Sequence, residues 1–493
     1  MLLLGIDVGT SSIKVSVVDA QTGKNIASAS YPDKETEIIA VKNGWAEQSP
    51  DMWWNNVQQA ILKCNASGKY QPKDIVAIGI AYQMHGLVLV DKEGNSLRNS
   101  IIWCDSRAVE IGNKAFADLG EEFCLSHYLN SPGNFTASKL AWVKQNEPEI
   151  YAKIDKVMLP GDFIALKLTG DVTTSVSSLS EGVFWDFKTN SLSKELLNYY
   201  GISEAFIPEI KPVFSTHGTL SKENADKLGL KSGVWVSYKA GDQPNNALSL
   251  NVIEPGEVAA TAGTSGVIYG VTDQLLFDKQ SRVNTFAHVS HSAEANRLGV
   301  LLCINGTGSL NRWIKNMAGD LDYNTINQLS ATVDEGSNGL SVLPFGNGAE
   351  RMLNNRLVGA SLQNIDLNIH TQAHVFRAVQ EGIAFAFRYG FDILKENGMQ
   401  ASVIKAGKAN LFLSDVFTQS FVNITGVPVE LYDNDGSHGA AMGAGIGAGI
   451  FASTNEAFAN SKALKLIEPK ANNLEEAYQR WNALLSEKLK AKS

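Results

Sequence analysis

The sequence predicts an α/β protein of two related halves facing one another across a cleft, and three observations predict it. Leu2–Asp19 reads LLLGIDVGTSSIKVSVVD, two β-branched runs joined by a tight turn, and Glu257–Val271 reads EVAATAGTSGVIYGV, the same strand, turn and strand about half a chain later. Matched flanking strands at that separation indicate two related domains rather than a chance recurrence of Gly-Thr-Ser. The chain has 493 residues, more than one core usually supports, and its 44% hydrophobic residues are ample to fill two. Ile75–Ala81 is a near-continuous apolar run, the mark of a strand covered on both faces. The halves are expected to divide into residues 1–250 and 251–493.

The first hairpin is built to hold something at its tip. Gly9 is expected to take the positive φ of a narrow turn, and Thr10, Ser11 and Ser12 then offer hydroxyls and backbone N–H groups suited to phosphate oxygens. Asp7 is an acid among Leu2, Leu3, Leu4, Ile6 and Val8, so it needs a cation, a metal-bound water or a hydrogen-bond donor. An ordinary hairpin in which Asp7 caps its own turn is the competing reading of this stretch alone. The second turn, Gly263-Thr264-Ser265-Gly266, would face the first, and two such turns could grip a polyphosphate.

Further along, Tyr31–Gly44 reads as a third strand and loop, and Ser49-Pro50-Asp51 opens a helix with Trp53, Trp54, Val57 and Ile61 on one face. The strand Ile75–Ala81 runs into Tyr82-Gln83-Met84-His85-Gly86, and a second such strand ends at Trp103-Cys104-Asp105-Ser106-Arg107. Ligands sit at strand ends in doubly wound sheets, which makes these two segments a pocket floor. Alone, His85 reads as a structural histidine, and Asp105 with Arg107 as an ion pair packed beside an aromatic. Phe135–Asp162 contains a helix ended near Glu147-Pro148 and a strand into Pro160-Gly161-Asp162, and the Ser-rich run SVSSLSEG within Leu166–Asp186 reads as a loop lining a cleft, or else as solvated linker. Val234–Tyr238 is a strand followed by Lys239-Ala240-Gly241-Asp242-Gln243-Pro244 and a helix over Asn245–Leu250. Asp242 suits a helix N-cap, and the same rigid placement suits a base that accepts a proton from a hydroxyl, with the helix dipole keeping its pKa low.

In the second half, Leu298–Ile304 is a strand into Asn305-Gly306-Thr307-Gly308, followed by a helix with Leu310, Trp313, Ile314 and Met317. Leu343-Pro344-Phe345 starts a glycine-rich loop reaching Glu350-Arg351. His370–Asn397 has Phe376, Val379, Ile383 and Phe387 on one stripe, which predicts a buried interdomain helix. Lys405-Ala406-Gly407-Lys408-Ala409-Asn410 is a small-residue turn on which a flat base could lie. Ser437–Gly449 is a Gly/Ala helix open to close backbone packing, and Leu474–Leu489 is an amphipathic terminal helix with Leu474, Tyr478, Trp481 and Leu485 inward.

A formal net charge of −9 without any Lys/Arg block argues against nucleic acid or an anionic membrane as partner. Cys64, Cys104, Cys124 and Cys303 form no C-x-x-C pair, so neither a zinc site nor a disulfide framework is expected, and a reduced cytoplasm fits. The first residues enter a strand without a basic leader, and Gly439–Ile450 is too short and small to span a bilayer.

The ordered set GIDVGTSSIKV, AYQMHG, IIWCDSR, FTASKLAWV, EPEIYAKIDKVMLP, the Asp242 loop and AGTSGV resembles the FGGY family of carbohydrate kinases over nearly the whole chain. That resemblance implies two actin-like domains of the ribonuclease H type, a sugar-binding and catalytic one first and a nucleotide-binding one second, with ATP and sugar meeting in the cleft. It implies Asp242 as general base, with Asp7 organising Mg²⁺ through water and Asp242 also at the metal. Gly9, Thr10, Ser11, Ser12, Lys14, Gly263, Thr264, Gly306, Gly407 and Asn410 would bind ATP. Met84, His85, Trp103, Asp105, Asp242 and Gln243 would meet the sugar, for which a ketopentose, D-xylulose first, is expected, with glycerol, ribulose and gluconate as alternatives and a non-catalytic actin-like ATP-binding protein as another. A homodimer is compatible with it. Three positions depart from the family pattern: Asp242-Gln243 replaces Asp-Asn, Lys405-Ala406-Gly407 replaces a triple glycine, and Gly348-Ala349-Glu350-Arg351-Met352 lengthens a Gly-Glu-Arg loop.

Overall fold

In the computed structural model, which describes residues 1–319 and 321–491, the repeated hairpins belong to two sheets wired alike. In the first half β1 (Leu2–Val8), β2 (Ile13–Asp19) and β3 (Asn25–Tyr31) are antiparallel, and β4 (Ile75–Tyr82) and β5 (Trp235–Gly241) add parallel to β1, giving the order β5-β4-β1-β2-β3. The second half has β6 (Val258–Ala262), β7 (Gly266–Thr272), β8 (Asn284–Ala287), β9 (Leu298–Ile304), β10 (Ile404–Gly407), β11 (Val429–Tyr432) and β12 (Lys465–Ile467), in the order β8-β9-β7-β6-β10-β11-β12. Again a hairpin leads, and again parallel strands extend it on the other side.

The third strand lies earlier than expected. Its residues are Asn25–Tyr31, in which exposed and buried positions mix as suits an edge strand, and the stretch after Tyr31 is loop. The run before Trp103 contributes only Ser100–Ile101, paired with Glu47–Gln48 outside the main sheet, so it is not a second core strand.

Helices cover the sheets as their apolar stripes require. Helix α1 (Pro50–Asn65), capped by Ser49, buries Trp53, Val57 and Ile61 against β2 and β3. The Ser-rich run forms a short buried helix, α2 (Val176–Glu181), and α3 (Asp242–Ser249) follows β5 without a break. In α4 (Gly308–Met317) Leu310 and Ile314 are buried while Trp313 and Met317 are exposed. Helix α5 (Gln372–Glu396) buries its predicted stripe, but its neighbours all belong to the second half, so it is the core helix of that half and not an interdomain one. A helix that does cross is α6 (Gly436–Gly447), which lies on β1, β4 and β5 of the first sheet. Helix α7 (Leu474–Ala491) buries Leu474, Tyr478, Trp481 and Leu485 against the second half. Among the described residues no helix is long and apolar enough to cross a membrane.

Crossing is permitted by missing side chains. Gly5 on β1 is in register with Gly79 on β4, and a Cβ at either would stand 1.8 Å from Ser437 O or 1.9 Å from Ala440 O of α6. On the helix, a Cβ at Gly443 would meet the Tyr238 ring at 2.7 Å and one at Gly447 would meet Ser237 O at 1.8 Å. Backbone therefore rests on backbone.

Candidate active site

Because β1, β4 and β5 are parallel, their C-terminal ends share one edge of the sheet. Asp7 is in register with Ala81, and Tyr82 with Gly241, so Asp7, the Gln83-Met84-His85 segment and Asp242 emerge side by side there. A ligand site outside the carboxyl ends of parallel strands is the general consequence of this wiring.

Two acids at that edge repel each other. Asp242 is pushed up to about 7, first by burial and then by Asp7, against hydrogen bonds from the backbone and side chain of Gln243. The expectation that the helix dipole would keep it low is therefore corrected: α3 is short, and desolvation beside a second carboxylate outweighs its field. Burial and Asp435 likewise raise Asp7 to about 6, against the opposing charge of Lys14. Among the described residues neither acid forms an ion pair, and no three His, Cys, Asp or Glu side chains approach closely enough to hold a metal alone. A pair of adjacent carboxylates outside any ion pair among the described residues is a donor set that fits Mg²⁺, which keeps most of its waters and takes further ligands from phosphates.

The turn after β1 is braced from beneath and open above. Gln48 Nε2 donates to Thr10 O at 2.8 Å, Thr10 Oγ1 donates to Gln83 Oε1 at 3.2 Å, and Trp103 Nε1 donates to Thr10 Oγ1 at 3.0 Å. Gly9 does not adopt positive φ, contrary to expectation; glycine fits there because a Cβ would lie 2.9 Å from Ser12 O. Lys14 reaches Asp435 at 2.5 Å, just before α6, so the hairpin is tied to the crossing helix. Ser11 is exposed and Ser12 half-buried on the open side.

Beside Asp242, Met84 is buried with its Cγ over Gly241, where a Cβ would come within 2.6 Å. His85 holds φ 64° and directs Nδ1 at Glu181 O, 2.9 Å away, so Nδ1–H donates and Nε2 is left as an acceptor. Burial and then Lys139 drive its pKa down to about 3, which keeps the ring neutral. Lys139 Nζ donates to His85 O at 2.9 Å and Ile102 O at 3.0 Å, fixing the two expected pocket segments to one another. His85 also packs edge-on against Phe135 and at 5.3 Å from Phe286 of the second half.

Asp105 does not face a ligand. Its carboxylate is fully buried, accepting from Ala46 N at 2.6 Å and from the Arg107 guanidinium, which lies 3.7 Å over the Trp45 ring. The ion-pair reading is the one the structure bears out. Trp103, two residues earlier, is half exposed above the hairpin turn.

On the second half a cavity of about 350 Å³ is lined by Gly263, Thr264, Gly308, Tyr323, Asn410 and Leu413, among others. Of the residues expected at the nucleotide, Gly263, Thr264 and Asn410 border it. Gly306 does not, since a Cβ there would stand 1.8 Å from Pro344 O and the residue serves close packing instead. Gly407 ends β10 outside this lining, and Lys405 on the same strand is bound to Glu257 at 3.0 Å.

Sequence reasoning missed several neighbours. Gln48 and Gln83 brace the turn, Lys139 joins the floor segments, and Arg351 reaches across to 6.0 Å over the Phe135 ring. Glu181, at the end of α2, is buried next to Gly241, and burial pushes its carboxyl far above the usual range, with Asp242 and Asp162 adding to it. The one available signal was a lone acid in the serine-rich run already read as cleft-lining.

Two models of one family account for most of the chain: the FGGY family of carbohydrate kinases, N-terminal domain, matches residues 2–249, and the C-terminal domain matches residues 258–448. The xylulose kinase of Haemophilus influenzae is 29% identical over 82% of this chain and 82% of its own. Among solved structures, a ligand-bound xylulose kinase from Lactobacillus acidophilus superposes with a TM-score of 0.87 at 26% identity, covering 99% of this chain and 98% of its own. The gluconate kinase of the same organism reaches 0.87 at 25% identity with the same coverage.

Proposed function

The chain belongs to the FGGY family of carbohydrate kinases, and from that premise we propose that it transfers the γ-phosphoryl group of ATP to the terminal primary hydroxyl of D-xylulose, giving D-xylulose 5-phosphate. The observation that carries the reading is the placement of Asp242 at the end of β5, beside Asp7 and next to the Met84–His85 floor. Asp242 accepts the proton of the primary hydroxyl, whose oxygen bonds to the γ-phosphorus as the bond to the β–γ bridging oxygen breaks and ADP leaves. A carboxylate with a raised pKa is a suitable acceptor, and because the transition state is loose, positioning carries most of the catalysis. Gln243 orients that carboxylate.

Thr10, Ser11, Ser12 and Lys14 receive phosphate oxygens from one side, Gly263 and Thr264 from the other, and the cavity bordered by Asn410 takes the adenosine. Asp7, through water, and Asp242 would hold Mg²⁺, which when bound neutralises phosphate charge. Met84 and Trp103 cover C–H faces of the acceptor and the free Nε2 of His85 takes a hydroxyl, while Asp105 acts only by holding the Trp103 loop. Residues 1–250 carry the acceptor and the base, and residues 251–493 carry the nucleotide. We place the enzyme in the reducing cytoplasm, working on two small molecules and independent of nucleic acid or membrane; light scattering tests for a homodimer.

A coupled ADP-release assay over D-xylulose, D-ribulose, L-ribulose, gluconate and glycerol tests the substrate. D-xylulose is expected to have the highest kcat/KM; a higher value for gluconate or glycerol overturns the acceptor and leaves the kinase. Asp242→Asn should still bind ATP and sugar but lose ~10²-fold or more in kcat. Turnover near wild type would remove Asp242 from the reaction.

A further inference from the structure

Glu181 is 2% exposed, and among the described residues neither of its carboxyl oxygens meets a donor in hydrogen-bond geometry. Its surroundings are those of the acceptor. Its backbone carbonyl fixes His85 Nδ1, and a Cβ on Gly241 would come within 2.9 Å of its Oε2 and 2.6 Å of Met84 Cγ. Glu181 and Met84 therefore press together on the backbone immediately before Asp242. Tyr82 Oη shares a hydrogen bond with Ser178 Oγ at 2.8 Å and lies close enough to Glu181 to favour its ionised form, without reaching hydrogen-bond geometry to it. Lys239 is directed elsewhere, to Asp162 at 2.6 Å, and Lys139 to two backbone carbonyls.

A buried carboxyl without partners destabilises the fold, and the cost is relieved when a matching polar group arrives. We propose that Glu181 is a specificity-determining residue of the acceptor site, its free carboxyl oxygens pairing with a hydroxyl of a polyhydroxylated substrate next to the hydroxyl that Asp242 deprotonates. This rests on the kinase reading above and adds to it. A carboxyl can accept from a sugar hydroxyl and, when protonated, donate to a neighbouring oxygen, so it suits a chain of adjacent oxygens better than a lone alcohol. An acceptor that lacks the matching hydroxyl leaves Glu181 unpaired and is rejected for that reason.

The test uses full-length Glu181→Gln and Glu181→Ala, with KM for ATP, KM for the sugar that wild type turns over best, and melting temperatures with and without that sugar. In Glu181→Ala the sugar KM is expected to rise about tenfold or more, with the ATP KM within about twofold of wild type. Preference for D-xylulose over D-ribulose should narrow, and Glu181→Gln should lie between. Without sugar, both variants should melt no lower than wild type, since an unpaired buried carboxyl has been removed, while the rise on adding sugar should shrink. A purely structural role predicts the reverse: lower melting temperature and parallel losses for sugar and ATP. That pattern overturns the proposal, as does an unchanged sugar KM in both variants. Wild type that phosphorylates no sugar sinks the kinase reading instead, and the sugar-dependent melting shift of wild type against Glu181→Ala still decides the role of Glu181.

Discussion

At the scale of single residues, this chain uses burial to set charge. The sequence alone predicts a helix-capping acid of low pKa at Asp242, whereas burial beside Asp7 raises it to about 7. Histidines move the other way. His217 is fully buried, with Nε2 at 3.2 Å from Val213 O and Nδ1 at 3.2 Å from Thr173 Oγ1, a hydroxyl that also accepts from Lys239. Burial and Lys239 hold its pKa down to about 3, against an ordinary 6.5. The unfolded chain therefore binds a proton that the folded chain refuses, so the stability His217 contributes is present above pH 6.5 and lost as pH falls from there toward 3. His217→Gln keeps a donor for Val213 O and cannot titrate. Compared by denaturant unfolding, wild type should lose ~1.4 kcal/mol more than the variant for each pH unit below 6.5. Parallel curves from pH 7.5 to 5.5 would show that the site admits the proton.

At the scale of elements, the contact that most constrains the molecule is α6 on the first sheet. The glycines of α6 lower its helix propensity and its alanines offer little side-chain area, so α6 depends on close dispersion contact with β1, β4 and β5. That contact also places Asp435, the residue before α6, against Lys14 of the hairpin. Gly79→Ala puts a methyl 1.9 Å from Ala440 O, backbone that cannot turn aside. The variant should lose ~3 kcal/mol, seen as a melting midpoint lower by about 3 °C or more. An unchanged midpoint would mean that α6 can lift from the sheet without cost. The sequence announced this helix as one open to close packing, yet its partner was out of reach of any local pattern, because β1 and α6 stand at opposite ends of the chain.

At the scale of the whole molecule, the contacts that join the halves include α6 on the first sheet and the edge strand β8, where Asn130 exchanges hydrogen bonds with the Thr285 backbone and Ser177 and Ser180 with the Ala287 backbone. In the proposed reaction the Thr264 turn and the Met84–His85 segment belong to different halves, so a rotation of one half against the other would change the distance between nucleotide and acceptor. A kinase gains by closing only around its sugar, because water is small enough to compete for the phosphoryl group. Small-angle scattering should show a smaller radius of gyration with sugar and a non-hydrolysable ATP analogue than without. Superimposable profiles would mean that the site is assembled before substrate arrives.

What the sequence determined by itself was local order and its repetition. Both Thr/Ser hairpins, the Ser49-capped helix, the stripes of α5 and α7, the apolar strand before Gln83 and the strand-to-helix junction at Asp242 follow from periodicity, capping and turn chemistry acting over a few residues. The tertiary structure alone decided the rest, because the rest depends on pairs far apart in the chain. Asp105, expected at the sugar, is held by Ala46 and Arg107, and Gly306, expected at the nucleotide, packs against Pro344. The α5 stripe named a buried face but not the neighbours that face would meet. Glu181 had no motif to mark it: a carboxyl's partners, or their absence, are fixed by which strands and helices close around it, and here β4, β5 and α2 converge from separate parts of the sequence.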